Sequence, residues 1–151
     1  MEIGDNLPSA SLTRADGTRF ALTDRIGQPL VVYFYPKADT TGCTREAQDF
    51  TALADAFGAR GAIVIGVSRD TPAKLTRFAD KHALIVELAS DADGTVCDAF
   101  GTWVEKQMYG RSYMGIERAT FLFDATGKLA HQWRKVKVAG HAAEVLEAIP
   151  A

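Results

Sequence analysis

Two uninterrupted apolar runs dominate the pattern along the chain, at residues 30–35 (LVVYFY) and 62–67 (AIVIGV). Runs of this length, rich in β-branched and aromatic residues and without a polar face, are typical of strands that helices cover on both sides. Pro36 ends the first run, because proline cannot donate a hydrogen bond to a sheet ladder. A shorter apolar run at residues 84–88 indicates a third strand.

Helical spacing of apolar residues follows each of the first two strands. From residue 41 to residue 57 these side chains recur at steps of three and four, which predicts one amphipathic helix with Gly58 as its stop. A capping segment before Pro72 predicts a second helix that ends near His82. Shorter helical patterns are found in three further segments, at residues 22–26, 96–100 and 141–149.

Turn residues between short apolar runs indicate two β-hairpins, one near each end of the chain. An Asp-Gly turn at residues 15–17 predicts a hairpin over residues 10–21. An Asp-Ala-Thr-Gly turn at residues 124–127 predicts another over residues 120–134. Residues 102–117 show little periodicity, and we expect them to form a loop over a site.

The order of these elements predicts an α/β protein with a thioredoxin-like fold. Strands that alternate with helices favour parallel pairing, so the central sheet should be mainly parallel, with helices on its flanks. The N-terminal β-hairpin and the late antiparallel hairpin would extend it. The length of 151 residues fits a single domain over residues 1–151.

Composition excludes several classes of function without identifying one. The 17 Lys and Arg residues nearly balance the 19 Asp and Glu residues, so nucleic acid and membranes are not expected partners. No apolar run approaches the roughly 18 residues of a spanning helix, and the N-terminus lacks a signal segment, so we expect a cytoplasmic protein. Two cysteines are too few for a disulfide framework, and the histidines lack metal-ligand spacing. We expect no metal and no organic cofactor.

Cys43 lies where α/β proteins usually carry their chemistry. Ligands of open α/β sheets bind beyond the carboxyl ends of the strands, and residues 36–43 (PKADTTGC) follow the first buried strand. Cys43 falls in the first turn of the predicted helix, where unpaired N–H groups and the helix dipole stabilise a thiolate. Position alone leaves another interpretation open, a buried cysteine that packs as a small apolar residue.

The segment around Cys43 resembles the active-site motif of the peroxiredoxins, Pro-x-x-x-Thr-x-x-Cys, with Pro36 and Thr40 at the other two motif positions. Its flanking residues resemble the bacterioferritin comigratory protein subfamily, also called PrxQ. The resemblance continues in chain order through three further segments, at residues 66–70 (GVSRD), 115–121 (GIERATF) and 133–141 (WRKVKVAGH). It therefore covers nearly the whole chain.

This resemblance implies a thiol peroxidase that reduces hydrogen peroxide and organic hydroperoxides. Cys43 would be the peroxidatic cysteine, whose thiolate attacks the terminal peroxide oxygen and becomes a sulfenic acid. Pro36 would shield the site from water, and the Thr40 hydroxyl would hydrogen-bond the thiolate and the peroxide. Arg118 would place a positive charge near the sulfur. Glu46 would either orient this arginine or only complement the helix dipole.

The fate of the sulfenic acid divides the remaining hypotheses. Members of the subfamily carry a resolving cysteine at one of two positions. These positions match Gln48 and Ala79 here, so this chain has neither of the familiar resolving cysteines. Cys97 either packs in the core or resolves Cys43 after a large local unfolding. We favour a one-cysteine cycle with thioredoxin, or glutathione with glutaredoxin, as the external reductant. A two-cysteine cycle through Cys97 and a peroxide-responsive sensor or holdase-like binding protein are the alternatives, and the resemblance favours a monomer over a dimer.

Overall fold

A seven-stranded sheet with helices against both faces organises the chain, in a computed structural model that describes residues 1–150. The strands are β1 (Ser11–Arg14), β2 (Arg19–Ala21), β3 (Leu30–Phe34), β4 (Ile63–Ser68), β5 (Glu87–Ser90), β6 (Trp103–Met108), β7 (Arg111–Ile116), β8 (Ala119–Phe123) and β9 (Leu129–Trp133). The helices are α1 (Thr41–Ala52), α2 (Ala54–Ala59), α3 (Pro72–His82), α4 (Thr95–Phe100) and α5 (His141–Ala148). Within residues 1–150, no helix has the length and apolar character that a bilayer crossing requires.

The centre of the sheet is parallel, as the alternation of strands and helices predicts. In the order β2-β1-β5-β4-β3-β8-β9, strand β4 pairs in parallel with both β3 and β5. The hairpin β1–β2 joins β5 in the antiparallel sense, and the hairpin β8–β9 joins β3 in the same way. Both predicted hairpins and the α/β architecture are confirmed.

The sheet separates two apolar cores, because alternate residues of a strand point to opposite faces. In β3, Val31 and Tyr33 face the side on which α1, α3 and α5 pack. Val32 and Phe34 face the side on which α4 packs. All of these side chains are buried, which explains why the run has no polar face.

The prediction of one helix over residues 41–57 is wrong, because the segment contains two helices that meet at Leu53. The backbone bends there while its hydrogen bonds continue, from the Leu53 N–H to Asp49 and from the Phe57 N–H to Leu53. The apolar spacing persists across the bend, so the periodicity conceals it. Gly58 lies inside α2 and does not end the helix.

The prediction of a loop over residues 102–117 is also wrong, because β6 and β7 form a separate antiparallel hairpin. Its turn consists of Tyr109 and Gly110, whose φ angles of 52° and 74° are both in the left-handed region that tight hairpin turns require. Most side chains of the hairpin are exposed, so its residues show no alternation between apolar and polar positions.

The third strand is displaced from the predicted residues 84–88, since β5 is Glu87–Ser90. Helix α3 ends at Ala83 in the left-handed conformation, and the Leu84 N–H still bonds to the Ala79 carbonyl of that helix. The first residues of the apolar run therefore serve to end the helix, and Ile85 is exposed.

Candidate active site

Cys43 lies in the first turn of α1, directly beyond the carboxyl end of β3. Thr40 is the N-cap residue, and its carbonyl accepts the first helical hydrogen bond from the Thr44 N–H at 2.9 Å. The Cys43 N–H precedes that bond and has no backbone acceptor among residues 1–150. The Cys43 side chain is only 1% exposed. The sulfur is therefore enclosed at the positive end of the helix.

Arg118 bridges Cys43 and a buried carboxylate one turn further along α1. Its Nη2 donates to the Cys43 Sγ at 3.3 Å, and its Nη1 donates to Oε1 of Glu46 at 2.6 Å. Arg118 reaches this position from the short link between β7 and β8. The structure thus brings together the three residues that the sequence analysis assigned to the thiolate and its arginine.

Burial sets the charge balance of this triad. It raises the pKa of Glu46 to about 7, although the adjacent Arg118 acts in the opposite direction. Burial alone would lower the pKa of Arg118, but the charges of Glu46 and Cys43 outweigh it and raise that pKa. The guanidinium therefore keeps its positive charge beside the sulfur. The second carboxylate oxygen of Glu46, Oε2, has no hydrogen-bond partner among the described residues.

Gly42 makes the close approach of the arginine possible. A Cβ atom at this position would lie 3.2 Å from Nη2 of Arg118, the same nitrogen that contacts the Cys43 sulfur. A side chain at this position would therefore require the guanidinium to shift by a few tenths of an ångström. Sequence reasoning assigned no role to Gly42, although a glycine directly before the motif cysteine was a usable signal.

Two contacts outside the motif anchor the segment between β3 and α1. The Ala38 N–H donates to Oδ2 of Asp70 at 2.7 Å. The Asp39 carboxylate contacts Lys81 at 2.8 Å and His82 at 2.7 Å, and the Asp39 backbone adopts a φ of 64°. Sequence reasoning did not assign these roles. Asp70 belongs to a segment that resembles the family, whereas the partners of Asp39 become neighbours only through the fold.

Thr40 lies at the site, but its hydrogen bond differs from the one expected. The Thr40 hydroxyl donates to the Lys37 carbonyl at 2.9 Å, and the expected contact with the Cys43 sulfur is absent. Pro36 is exposed, and its shielding of Cys43 from water stays a prediction.

A groove of about 420 Å³ lies between the residues that follow β3 and the hairpin β6–β7. Its apolar lining residues are Pro36, Trp103, Tyr113, Met114 and Ile116. Its basic lining residues are Lys37, Arg69 and Lys106. The hairpin that sequence reasoning missed therefore supplies most of the apolar wall beside the candidate site.

Cys97 is not part of this site. It lies in α4 and packs with the core on the opposite face of the sheet from Cys43. Its own N–H and that of Val96 donate to the Asp91 carboxylate at 2.7 and 3.0 Å. Burial raises the pKa of the Cys97 thiol well above its ordinary value, and the hydrogen bond to Asp91 raises it further.

Comparison with known proteins shows which family the chain belongs to. The AhpC/TSA family model matches residues 3–132. Peroxiredoxin Bcp of Xanthomonas campestris pv. campestris is 46% identical over 149 residues, which cover 96% of this chain and 93% of the relative. Peroxiredoxin Bcp of Bacillus subtilis is 43% identical over 149 residues, which cover 99% of this chain and 95% of that protein.

Solved structures show the same fold. Peroxiredoxin Q of Xanthomonas campestris superposes with a TM-score of 0.91 at 43% identity and covers 99% of this chain and 97% of its own. The bacterioferritin comigratory protein of that organism, studied for alkyl peroxide reduction, gives a TM-score of 0.91 at 43% identity, covering 98% and 97%. The fold and the site therefore define a thioredoxin-like thiol peroxidase. The chain belongs to the AhpC/TSA family, as a peroxiredoxin of the Bcp or PrxQ type.

Proposed function

We propose that this peroxiredoxin reduces hydrogen peroxide and organic hydroperoxides through a one-cysteine cycle on Cys43. The contact of Arg118 with both the Cys43 sulfur and the Glu46 carboxylate carries this proposal. The arginine and the helix N-terminus both stabilise a thiolate, and the thiolate is the nucleophilic form of cysteine. The groove beside the site has an apolar wall that suits the organic part of a hydroperoxide.

In the first half of the cycle, the Cys43 thiolate attacks the terminal oxygen of the peroxide. A sulfur–oxygen bond forms as the oxygen–oxygen bond breaks, which gives a sulfenic acid and water or an alcohol. The free Cys43 N–H is in position to donate to the peroxide. The Thr40 hydroxyl already gives its hydrogen to the Lys37 carbonyl, so its lone pairs can accept the hydrogen of the peroxide.

In the second half of the cycle, an external thiol attacks the sulfenic acid. The first thiol forms a mixed disulfide with Cys43 and releases water, and a second thiol displaces Cys43 and forms the disulfide product. The location of Cys97 supports an external reductant, because the two sulfurs belong to cores on opposite faces of the sheet. Thioredoxin, or glutathione with glutaredoxin, would supply these electrons.

Intact mass after one equivalent of hydrogen peroxide tests the cycle. We expect the gain of one oxygen on Cys43, while Cys97 stays available for alkylation after denaturation. A loss of two hydrogens with no free thiol would instead mean a Cys43–Cys97 disulfide and a two-cysteine cycle. Steady turnover with each reductant system separates an enzyme from a sensor, since a sensor stops after one equivalent.

A further inference from the structure

Asp39 connects the segment before α1 with the end of α3. Its carboxylate contacts the Lys81 ammonium at 2.8 Å through Oδ2 and the His82 imidazole at 2.7 Å through Oδ1. Asp39 directly precedes the N-cap residue Thr40, and its φ of 64° is in the left-handed region. Aspartate and asparagine adopt that conformation more readily than most residues. These contacts therefore tie the backbone next to the α1 N-terminus to a different helix.

The α3 side of this connection is fixed by packing. Leu75 and Phe78 of α3 are buried in the core. The His82 ring packs edge-on against Phe78 with the ring centroids 5.6 Å apart, and its side chain is 20% exposed. Lys81 lies in the last turn of α3, where a cation complements the helix dipole. The end of α3 is therefore the anchor, and the segment before α1 is the part that can move.

Few polar contacts hold residues 36–40 to the rest of the protein. Within residues 1–150, hydrogen bonds and ion pairs join this segment to elements other than α1 only at Ala38 and Asp39. The Ala38 N–H donates to the Asp70 carboxylate at 2.7 Å. The Thr40 hydroxyl bonds to Lys37 inside the segment itself. Loss of the Asp39 contacts would therefore leave Ala38 as the one such connection of the described segment.

Reduction of the Cys43 sulfenic acid requires more access to the sulfur than its formation does. Cys43 is 1% exposed and lies in the first turn of α1, directly after this segment. The sulfenic oxygen occupies the direction from which the peroxide came. An attacking thiol approaches the sulfur from the side opposite the departing oxygen, so the enclosed sulfur has to become accessible from a second direction. Opening of residues 36–40 and of the first turn of α1 would provide this access.

We propose that Asp39 is a positioning residue that holds this segment closed and so limits the rate at which an external thiol reduces the Cys43 sulfenic acid. This inference rests on the proposed function. When the segment opens, the sulfur of the thiol bonds to the Cys43 sulfur and the sulfur–oxygen bond breaks. The departing hydroxide takes the proton of the thiol and leaves as water. The Cys43 sulfur is reduced and the sulfur of the thiol is oxidised, which gives the mixed disulfide.

The two halves of the cycle depend on different arrangements of the segment. Oxidation uses the closed arrangement of the structure, in which Arg118 contacts the Cys43 sulfur at the helix N-terminus. A small weakening of the closed arrangement leaves its population almost unchanged, whereas the population of the minor open arrangement rises in proportion. The Asp39 side chain is 43% exposed, and exposed ion pairs are individually weak. We therefore expect a change of a few-fold, confined to the reduction step.

Asp39→Asn tests this role, because asparagine keeps the size of the side chain and the left-handed backbone but lacks the charge. With the neutral thiol 2-mercaptoethanol as the probe, we expect the rate constant for reduction of the sulfenic acid to rise about threefold. The rate constant of Cys43 oxidation by hydrogen peroxide should stay within about twofold of the wild-type value. Rapid mixing, an alkylating quench and intact mass measure both steps. Amide hydrogen exchange of residues 36–45 should rise together with the reduction rate.

Asp80→Asn is the matched control, since it removes an exposed carboxylate of α3 that has no ion-pair partner in the described part of the chain. It should leave both rate constants and the hydrogen exchange unchanged. Lys81→Gln should reproduce part of the effect of Asp39→Asn. The double variant should gain less than the product of the two single effects, because both substitutions remove the same contact.

Three results would each overturn the proposal: an unchanged reduction rate in Asp39→Asn, an equal change in both half-reactions, or the same gain in Asp80→Asn. Thermal unfolding of each variant shows that the comparison is made between folded proteins. A disulfide between Cys43 and Cys97 that forms before the thiol is added would refute the one-cysteine cycle of the proposed function, which is a separate result.

Discussion

The two cysteines of this chain have nearly equal burial and opposite electrostatic surroundings. Cys43 is 1% exposed and Cys97 is 0% exposed, and each lies in the first turns of a helix. The sulfur of Cys43 accepts a hydrogen bond from the guanidinium of Arg118, whereas Cys97 lies against the carboxylate of Asp91. A cation favours the thiolate and an anion favours the thiol. At nearly equal burial, the neighbouring charge thus has opposite signs at the two sulfurs, and the proposed peroxidatic cysteine is the one beside the cation.

The N-termini of the two helices also differ, in whether a carboxylate occupies their N–H groups. The Cys43 N–H has no backbone acceptor among the described residues. At the start of α4, the N–H groups of Val96 and Cys97 are both bound by Asp91. A helix N-terminus stabilises an incoming negative charge only if a carboxylate does not already occupy it. Of the two termini, only the one at Cys43 therefore keeps an N–H group that no carboxylate occupies.

Replacing each cysteine by serine gives the largest expected contrast. Cys43→Ser should lower steady-state peroxide reduction by at least about 1,000-fold, because it removes the nucleophile. Cys97→Ser should keep most of the wild-type rate, and it serves as the matched control. The measurement is peroxide consumption with an excess of thiol reductant. A Cys97→Ser variant that stops after one equivalent would show that Cys97 resolves the sulfenic acid, and the contrast would then fail.

Removing the cation next to Cys43 should have the second largest effect. Arg118→Ala should slow Cys43 oxidation by about 100-fold near neutral pH, because both the thiolate and the developing charge lose their hydrogen-bond donor. The Arg118→Ala substitution also leaves Glu46 buried without its partner, a loss that typically costs about 3–5 kcal/mol in unfolding free energy. Stopped-flow oxidation and chemical denaturation measure the two effects.

The Arg118→Lys variant decides whether charge or shape matters at this position. Lysine keeps the positive charge but cannot reach Cys43 and Glu46 with two nitrogens of one planar group. We expect an intermediate oxidation rate and an intermediate loss of stability. An unchanged rate in Arg118→Ala would remove the arginine from the mechanism and leave the helix terminus as the main stabilising feature.

The sequence predicts those parts of this comparison that depend on residues close together in the chain. The run at residues 30–35, the proline after it and the motif spacing locate Cys43 at a strand–helix junction, and the collinear resemblance led to Arg118. The hairpin β6–β7 was missed because most of its side chains are exposed, and its share of the groove wall was missed with it. The contacts of Asp39 join residues that are distant in sequence, so no local pattern predicts them.

Glu46 gives the site a stability that depends on pH. Its pKa rises from 4.5 to about 7 on folding, mainly because it is buried. The contribution of Glu46 to the unfolding free energy is therefore fully present below pH 4.5 and is lost as the pH rises through about 7. The loss is on the order of 3 kcal/mol of unfolding free energy. Denaturation curves of wild type and Glu46→Gln should separate with pH, since the variant lacks this fall. Parallel curves would mean that Arg118 fully compensates the ionised carboxylate.

Neutralising the anion beside Cys97 tests the comparison at the second cysteine. Its expected effect is the smallest. Asp91→Asn keeps the shape of the residue but weakens the acceptor of the Val96 and Cys97 N–H groups. We expect a loss of about 1–2 kcal/mol in unfolding free energy. Native Cys97 should remain far slower than Cys43 toward an alkylating reagent, because no cation takes the place of the lost anion and the thiol stays buried. Alkylation followed by peptide mapping measures both rates in one sample. If Cys97 became as reactive as Cys43, the carboxylate alone would account for its inertness, and a neighbouring cation would not be needed for reactivity.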